Sequence, residues 1–287
     1  MKKTVLTFTL TTLIGATSIF AQTVKLKLNK GEKFESVSVT SINNTTEAMG
    51  QTMEMTGTTN TVTQYTVNDA RTADYDLSTT LAKMQLKMSM MGQEMEYDSE
   101  KKDNDEKLAA VGKMVGKVKN TTVDEKGAIT KKEAEKKSEE DEAGNMLTSM
   151  MNPAAAATSN NFELYIPSIY AQTLEVGKSW QDSTTSVTEK STTKSVGTFT
   201  VKSLDAEKVV LNYEGTQTSS GTMEQQGMEM KTEGNNKVTT EYTVDVKSGL
   251  ILENKTTIVT NVNIEVTGMT IPSTGTVTTT TKLTVIK

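Results

Sequence analysis

Methionine thioethers and clustered carboxylates are the side chains here whose type and spacing could do chemistry. The chain contains neither histidine nor cysteine. That removes Ser-His-Asp and Cys-His catalysis, the common zinc ligand sets, disulfides, and the side chain best suited to proton transfer near neutral pH. An enzyme would have to work with Asp, Glu, Lys or Tyr, as glycosidases with paired carboxylates do. The sequence therefore assigns no catalytic residue, no metal and no cofactor, and leans away from catalysis without excluding it.

The 17 methionines are the unusual feature, because several lie two residues apart. Met53 and Met55, Met88 and Met90, and Met228 and Met230 would each share one side of a strand. With Met95, which follows a glycine turn, they form the candidate ligand-binding set. A thioether cluster could take Cu(I), a soft ion, but such sites commonly add histidine or cysteine. The competing readings are irregular core packing and a flexible apolar groove for a lipid or other hydrophobic guest. Packing is the stronger of these.

Asp98, Glu100, Asp103, Asp105 and Glu106 could offer oxygen ligands to calcium, yet they lack the spacing and central glycine of an EF-hand loop. The run Glu139-Glu140-Asp141-Glu142 reads as solvated surface. Trp180, the single tryptophan, could be a stacking platform for a sugar or a core anchor. Its counterpart Phe34, described below, favours the anchor.

These side chains must be positioned mainly by strands. Val238, Thr240, Tyr242, Val244 and Val246 alternate with polar residues. Ile258, Val262, Ile264 and Val266 share one parity, as do Val277, Leu283 and Val285. Such period-2 patterning predicts long, half-buried antiparallel strands, with the threonine-rich face toward water. Ala82, Met84, Leu86, Met88 and Met90 alternate with polar residues and lead through Met91-Gly92 into Met95 and Tyr97, which predicts a hairpin. The fold class expected is mainly β, α+β at most: two related antiparallel curved-sheet or half-barrel units with a helical, charged insert between them.

Leu28, Gly31 and Phe34 recur with the same spacing as Leu174, Gly177 and Trp180, suggesting an internal repeat. Each unit reaches an acidic turn, Asp124–Ile129 in the first and Asp245–Ile251 in the second. Leu108, Val111, Val115 and Val118 fall at helical spacing and predict a helix near 105–118. The expected organisation is a first β unit over 22–129, a charged and alanine-rich linker or helix over 130–160, and a second β unit over 161–287.

Lys2 and Lys3 precede an apolar stretch from Val5 to about Phe20 that ends at Ala21, the layout of a signal peptide over 1–21. Its interspersed threonines and Gly15 make it a poor membrane span. Cleavage would take the formal charge from −5 to −7 by removing two lysines. With Arg71 the sole arginine, nucleic acid is not an expected partner. No transmembrane segment follows the signal, so the mature chain is expected in a periplasm or outside the cell.

Three stretches together resemble a known family. They are Gly92–Ser99 after the Met-rich strand, Val176–Trp180 following Ile166-Pro167, and the turn from Asp245 to Leu252. The arrangement resembles exported Bacteroidota-type β-rich proteins classed as a domain of unknown function, over nearly all of the mature chain. That resemblance implies an envelope location and a duplicated β-fold, and brings no ligand residues. The function expected is non-enzymatic binding of a lipid, another apolar ligand or an envelope protein partner on the Met/Val face. The alternatives are a structural or adhesive surface protein without a cavity, and a carboxylate-dependent hydrolase.

Overall fold

A computed structural model describes residues 23–48, 50–105, 108–132, 161–187, 191–225 and 228–286. The expected signal peptide and nearly all of the expected linker lie outside the described residues. Only Thr130–Lys132 of that linker are described, and they belong to a strand.

β-Branched threonine and valine dominate the chain and favour a pleated, half-buried backbone. The first half forms β1 (Lys33–Ala48), β2 (Gln51–Ala70), β3 (Asp74–Met90), β4 (Gln93–Asp98), the short helix α1 (Ala109–Gly112), β5 (Val118–Asp124) and β6 (Ile129–Lys132). The second half forms β7 (Ser179–Val187), β8 (Ser191–Leu204), β9 (Lys208–Gln225), β10 (Met228–Asp245), β11 (Ile251–Val266) and β12 (Met269–Ile286). Two-residue turns close the β3–β4 and β11–β12 hairpins. Met91 and Gly92 have φ of 53° and 76°, and Thr267 and Gly268 have 48° and 81°. Positive φ at both central residues is what a type I′ turn requires, and its twist matches the flanking strands.

The expectation of two sheet units with a helical insert is corrected on both counts. The strands form one curved antiparallel sheet in the order β6-β5-β3-β2-β1-β12-β11-β10-β9-β8-β7, with β4 paired to β3 off that path. The two halves merge because β1 pairs with β12 from Lys33↔Ile286 to Thr46↔Ser273. The helix expected over 105–118 is a single turn of four residues. Leu108 and Val111 are buried, and one turn suffices to aim both inward. Val118, counted on the same helical face, is 58% exposed at the start of β5.

The concave side is stratified. At one end an aromatic and aliphatic core joins strands of both halves, with Phe34, Tyr65, Leu77, Phe199, Leu211 and Val244 among its members. Two non-strand segments fill it. Val24, Leu26 and Leu28 point alternately into it from residues 23–28, and Lys27 N–H donates to the Ser248 carbonyl (2.9 Å). Residues 161–174 enter beside them. Phe162 N–H donates to the Gly127 carbonyl (2.7 Å), and Ile251 N–H to the Leu164 carbonyl (2.8 Å). At the other end Ile42, Met84, Leu86, Tyr97, Ile258 and Val277 pack with Leu108 and Val111.

Between these apolar layers the inward face is polar, which reverses the expected side for many threonines. On β1, Ser36 and Thr40 are buried while Val37 and Val39 are about two-fifths exposed. Buried and half-buried hydroxyls satisfy one another across strands: Thr40 with Thr279 (3.0 Å), Ser38 with Thr281 (3.1 Å) and Thr240 with Thr256 (3.0 Å). A buried hydroxyl is tolerable when so paired. A bulge opposite Val62 and Thr63 shifts the parity of β3, so Tyr75 and Leu77 face inward before it and Met84 and Leu86 after it.

The matching triplets open the two halves with the same geometry. Gly31 and Gly177 both have φ of 86°. Gly31 N–H donates to the Val67 carbonyl and Gly177 N–H to the Val201 carbonyl, each at 2.8 Å. Leu28 and Leu174 are buried, as are Phe34 and Trp180.

Candidate functional site

A cavity of about 300 Å³ lies within the curve of the sheet, at the lower edge of the volumes typical of small-molecule sites. Residues of β1, β2 and β7 to β12, with 161–167, line it. Its wall on β1, β2, β11 and β12 is mostly hydroxyl, from Ser36, Ser38, Thr61, Thr63, Thr256, Thr279 and Thr281. On the opposite side it is aromatic and acidic, with Phe199, Tyr213, Tyr242 and Asp182, and Glu163 enters from the non-strand segment.

Strand alternation places this second wall. Trp180, Asp182 and Thr184 occupy one face of β7, and Ser195, Gly197 and Phe199 the adjoining face of β8, with Trp180 opposite Phe199 and Asp182 opposite Gly197. The Trp180 and Phe199 rings stack at 5.2 Å with 17° between planes, and Trp180 Nε1–H donates to Ser168 Oγ (3.2 Å). Phe199 also meets Tyr213 (4.8 Å) and Tyr242 (6.0 Å). Each such pair contributes about 0.5–1.5 kcal/mol beyond the area it buries. Trp180 thus behaves as an anchor, and its tryptophan-specific N–H is already occupied.

Glycines make room for Tyr213. A β-carbon on Gly197 would sit 2.5 Å from Tyr213 Cζ, and one on Gly215 would sit 2.7 Å from its hydroxyl. The ring therefore covers a two-glycine patch beside Asp182, an aromatic side chain sheltering glycines in a sheet.

The electrostatics follow from burial and from the absence of basic side chains among the described lining residues. Burial raises the Asp182 carboxyl above the usual aspartate value, against a hydrogen bond from Ser168. Burial, against a hydrogen bond with Thr240 and with smaller contributions from Tyr213 and Asp182, pushes Tyr242 up to about 12. Tyr213 is raised first by burial and then by Asp182. Tyr65 donates its hydroxyl to Glu163 Oε1 (2.5 Å), and burial with that carboxylate raises it well above the ordinary tyrosine range.

The candidate methionines lie elsewhere. Met55, Met88 and Met95 are partly buried and pack on the cluster capped by α1. Met55 is the register partner of Met90, and Met88 that of Met95. Met53 and Met230 are half-buried on β2 and β10, while Met90 is 44% exposed. Met228 begins β10, and its side chain lies outside the described ones. None of the six whose side chains are described lines the cavity.

The acidic stretch is described over 98–105, where it leaves β4 through a turn. Asp98 Oδ1 accepts from Glu100 N–H (2.9 Å), its Oδ2 accepts from the Gln85 amide (3.3 Å), and Asn104 Oδ1 accepts from Asp98 N–H (2.7 Å). Among the described residues no three acidic side chains converge as metal ligands. No described helix is long and apolar enough to cross a membrane.

Sequence reasoning missed Asp182, Glu163 and the Gly197–Tyr213–Gly215 cluster. The available signal was glycine two residues from an aromatic in strand-like sequence, Gly197-Thr198-Phe199 and Tyr213-Glu214-Gly215.

The chain belongs to a family of unknown function (DUF6263), whose model matches residues 72–251. No curated protein matches it. One similar solved structure describes lipid–protein interactions in lipovitellin, with 10% identity and a TM-score of 0.46, covering 91% of this chain and 26% of that one. The chain thus spans about a quarter of the lipovitellin chain's length. Another is the COG4313 outer membrane channel from Pseudomonas putida F1, with 9% identity and a TM-score of 0.27, covering 91% and 97% of the two chains. A third is the translocator domain of the autotransporter NalP from Neisseria meningitidis, with 8% identity, a TM-score of 0.22 and 90% of both chains covered.

Proposed function

Starting from membership of a family without an assigned function, we propose that this chain is an exported, non-enzymatic binding protein that holds a small amphiphilic ligand inside its curved sheet. The observation that carries the reading is the cavity of about 300 Å³ between two packed apolar layers, hydroxyl-lined on one side and aromatic on the other. A guest with one polar and one apolar side would satisfy both walls. The methionine ladders then serve chiefly as packing, and the ligand seat lies on the threonine belt beside them. Export rests on the Lys2-Lys3 and Val5–Phe20 pattern, and a periplasmic or extracellular site of action follows from it.

The two halves are further read as copies of one β unit, 22–129 and 161–287. Support comes from the matching geometry at Gly31 and Gly177.

Native mass spectrometry of the chain purified from its exporting host tests the binding function. A copurifying small molecule is expected in the wild type and is expected to be lost in S195W, which fills the cavity. A bound mass that survives in a folded S195W, or no bound mass in the wild type, would overturn the reading.

A second reading, carboxylate-dependent hydrolysis, is favoured by one observation: Glu163 and Asp182 line the same cavity, and burial disposes Asp182 toward the protonated form a general acid needs. It requires turnover of a glycoside panel that E163Q and D182N each abolish. Absence of turnover across the panel sinks it.

A further inference from the structure

We propose that the polar head of the ligand is an organic ammonium ion, held at Asp182 against the tyrosine wall. The inference rests on the binding function above and deepens it by assigning the charge of the guest.

Two carboxylates, Asp182 and Glu163, open onto one cavity whose lining, among the described residues, contains no lysine or arginine. Neither carboxylate has an ion-pair partner among the described residues. The only polar partners the structure gives them are hydroxyls: Ser168 for Asp182 and Tyr65 for Glu163. Hydroxyl donors leave the negative charge unneutralised, and a recessed site of one sign concentrates counter-ions of the other. A carboxylate or phosphate head would be repelled there. An ammonium group would restore the ionised form of Asp182, which burial disfavours.

The neighbouring rings add to this selectivity. Phe199, Tyr213 and Tyr242 form one contiguous aromatic cluster beside Asp182, and aromatic faces attract desolvated cations. The groups facing Asp182 from the surrounding elements are Ser168 on the non-strand segment, Gly197 on β8, Tyr213 on β9 and Tyr242 on β10. None supplies a positive charge. The remaining walls combine hydroxyls and amides, which would solvate the ammonium hydrogens, with the apolar Leu164, Ile166, Val238 and Ile251.

Three probes of one skeleton test the inference: 2-phenylethylammonium, 2-phenylethanol and phenylacetate. They are titrated at pH 7 by calorimetry and by the fluorescence of Trp180, the single tryptophan, two residues from Asp182. The ammonium is expected to bind about tenfold or more tightly than the alcohol, with phenylacetate weakest. D182N is expected to cut that preference to about twofold, and E163Q to lower it less. Thermal melts establish that each variant is folded, and if D182N does not fold, E163Q and the three-probe ranking carry the test. Equal binding of ammonium and alcohol, or an undiminished preference in folded D182N, overturns the ammonium assignment while binding in the cavity stands. If none of the three probes binds at millimolar concentration, the cavity function falls with it.

Discussion

Tyr213 lies across the strand position of Gly197, so closely that a β-carbon there would meet its ring at 2.5 Å. Gly197→Ala would also bring that carbon to 2.6 Å from the Glu214 carbonyl oxygen, so ring and backbone must both shift. Overpacking of this kind costs about 1–3 kcal/mol. Urea denaturation of Gly197→Ala is expected to show a loss in that range, with the environment of Trp180 altered through Phe199. A neutral substitution would mean that Tyr213 is not seated on the glycine patch.

The hydroxyl belt makes a double-mutant prediction. Thr40→Val leaves the Thr279 hydroxyl without its 3.0 Å partner, at about 1–3 kcal/mol for an unsatisfied buried group. Replacing both with valine is expected to recover most of that loss, giving a coupling energy at least as large as either single loss, about 1–3 kcal/mol, in the cycle. Additive losses would show that the two hydroxyls do not depend on each other.

Asp182 predicts how stability changes with pH. Its native value lies above the ordinary 3.8 because burial disfavours the charge. Its favourable contribution is therefore complete below that ordinary value and is lost as pH rises through the raised one. Compared by denaturation across pH 3.5 to 7, Asp182→Asn is expected to gain on the wild type as pH rises. A gap independent of pH would contradict the buried carboxyl.

The Arg71 clamp makes the opposite prediction. Arg71 donates to Asp76 through both terminal nitrogens (2.7 and 2.9 Å) and bonds Asp74 through Nε. Arg71, with help from Thr122, draws Asp76 down to about 2. That stabilisation is present above the ordinary aspartate value and is lost as pH falls through about 2. Arg71→Ala is expected to lower the melting temperature at pH 7, less so in high salt, and to remove this acid limb. An unchanged limb would place the acid sensitivity elsewhere.

The methionines separate by burial. Met84 is 5% exposed in the cluster capped by α1, and Met84→Ala is expected to cost about 2–5 kcal/mol. Met90, 44% exposed, is expected to change stability by no more than about 0.5 kcal/mol on truncation. Loss of copurified ligand in Met90→Ala would return the binding role to the methionine ladder.

Strand identity, the Met91-Gly92 hairpin and the paired openings at Gly31 and Gly177 were legible in the sequence. Each depends on local information: period-2 alternation, a glycine at positive φ, or an apolar residue at fixed spacing. The helix expected over 105–118 misled because Leu108 and Val111 need only one turn to reach the core, and helical spacing alone carries no length. The candidate site was hardly legible. Asp182 and Tyr213 come together only through cross-strand register, since Asp182 faces Gly197 and Gly197 faces Gly215.

The sequence by itself determined that this is a β-protein without histidine or cysteine chemistry, because composition and periodicity act residue by residue. Only the tertiary structure decided that β1 pairs with β12, uniting the halves in one sheet, and that threonines line the interior. Alternation states that two faces differ without stating which is inside. The side that becomes concave is chosen by long-range packing against residues 23–28 and 161–174, and with it the location of the cavity and its acids.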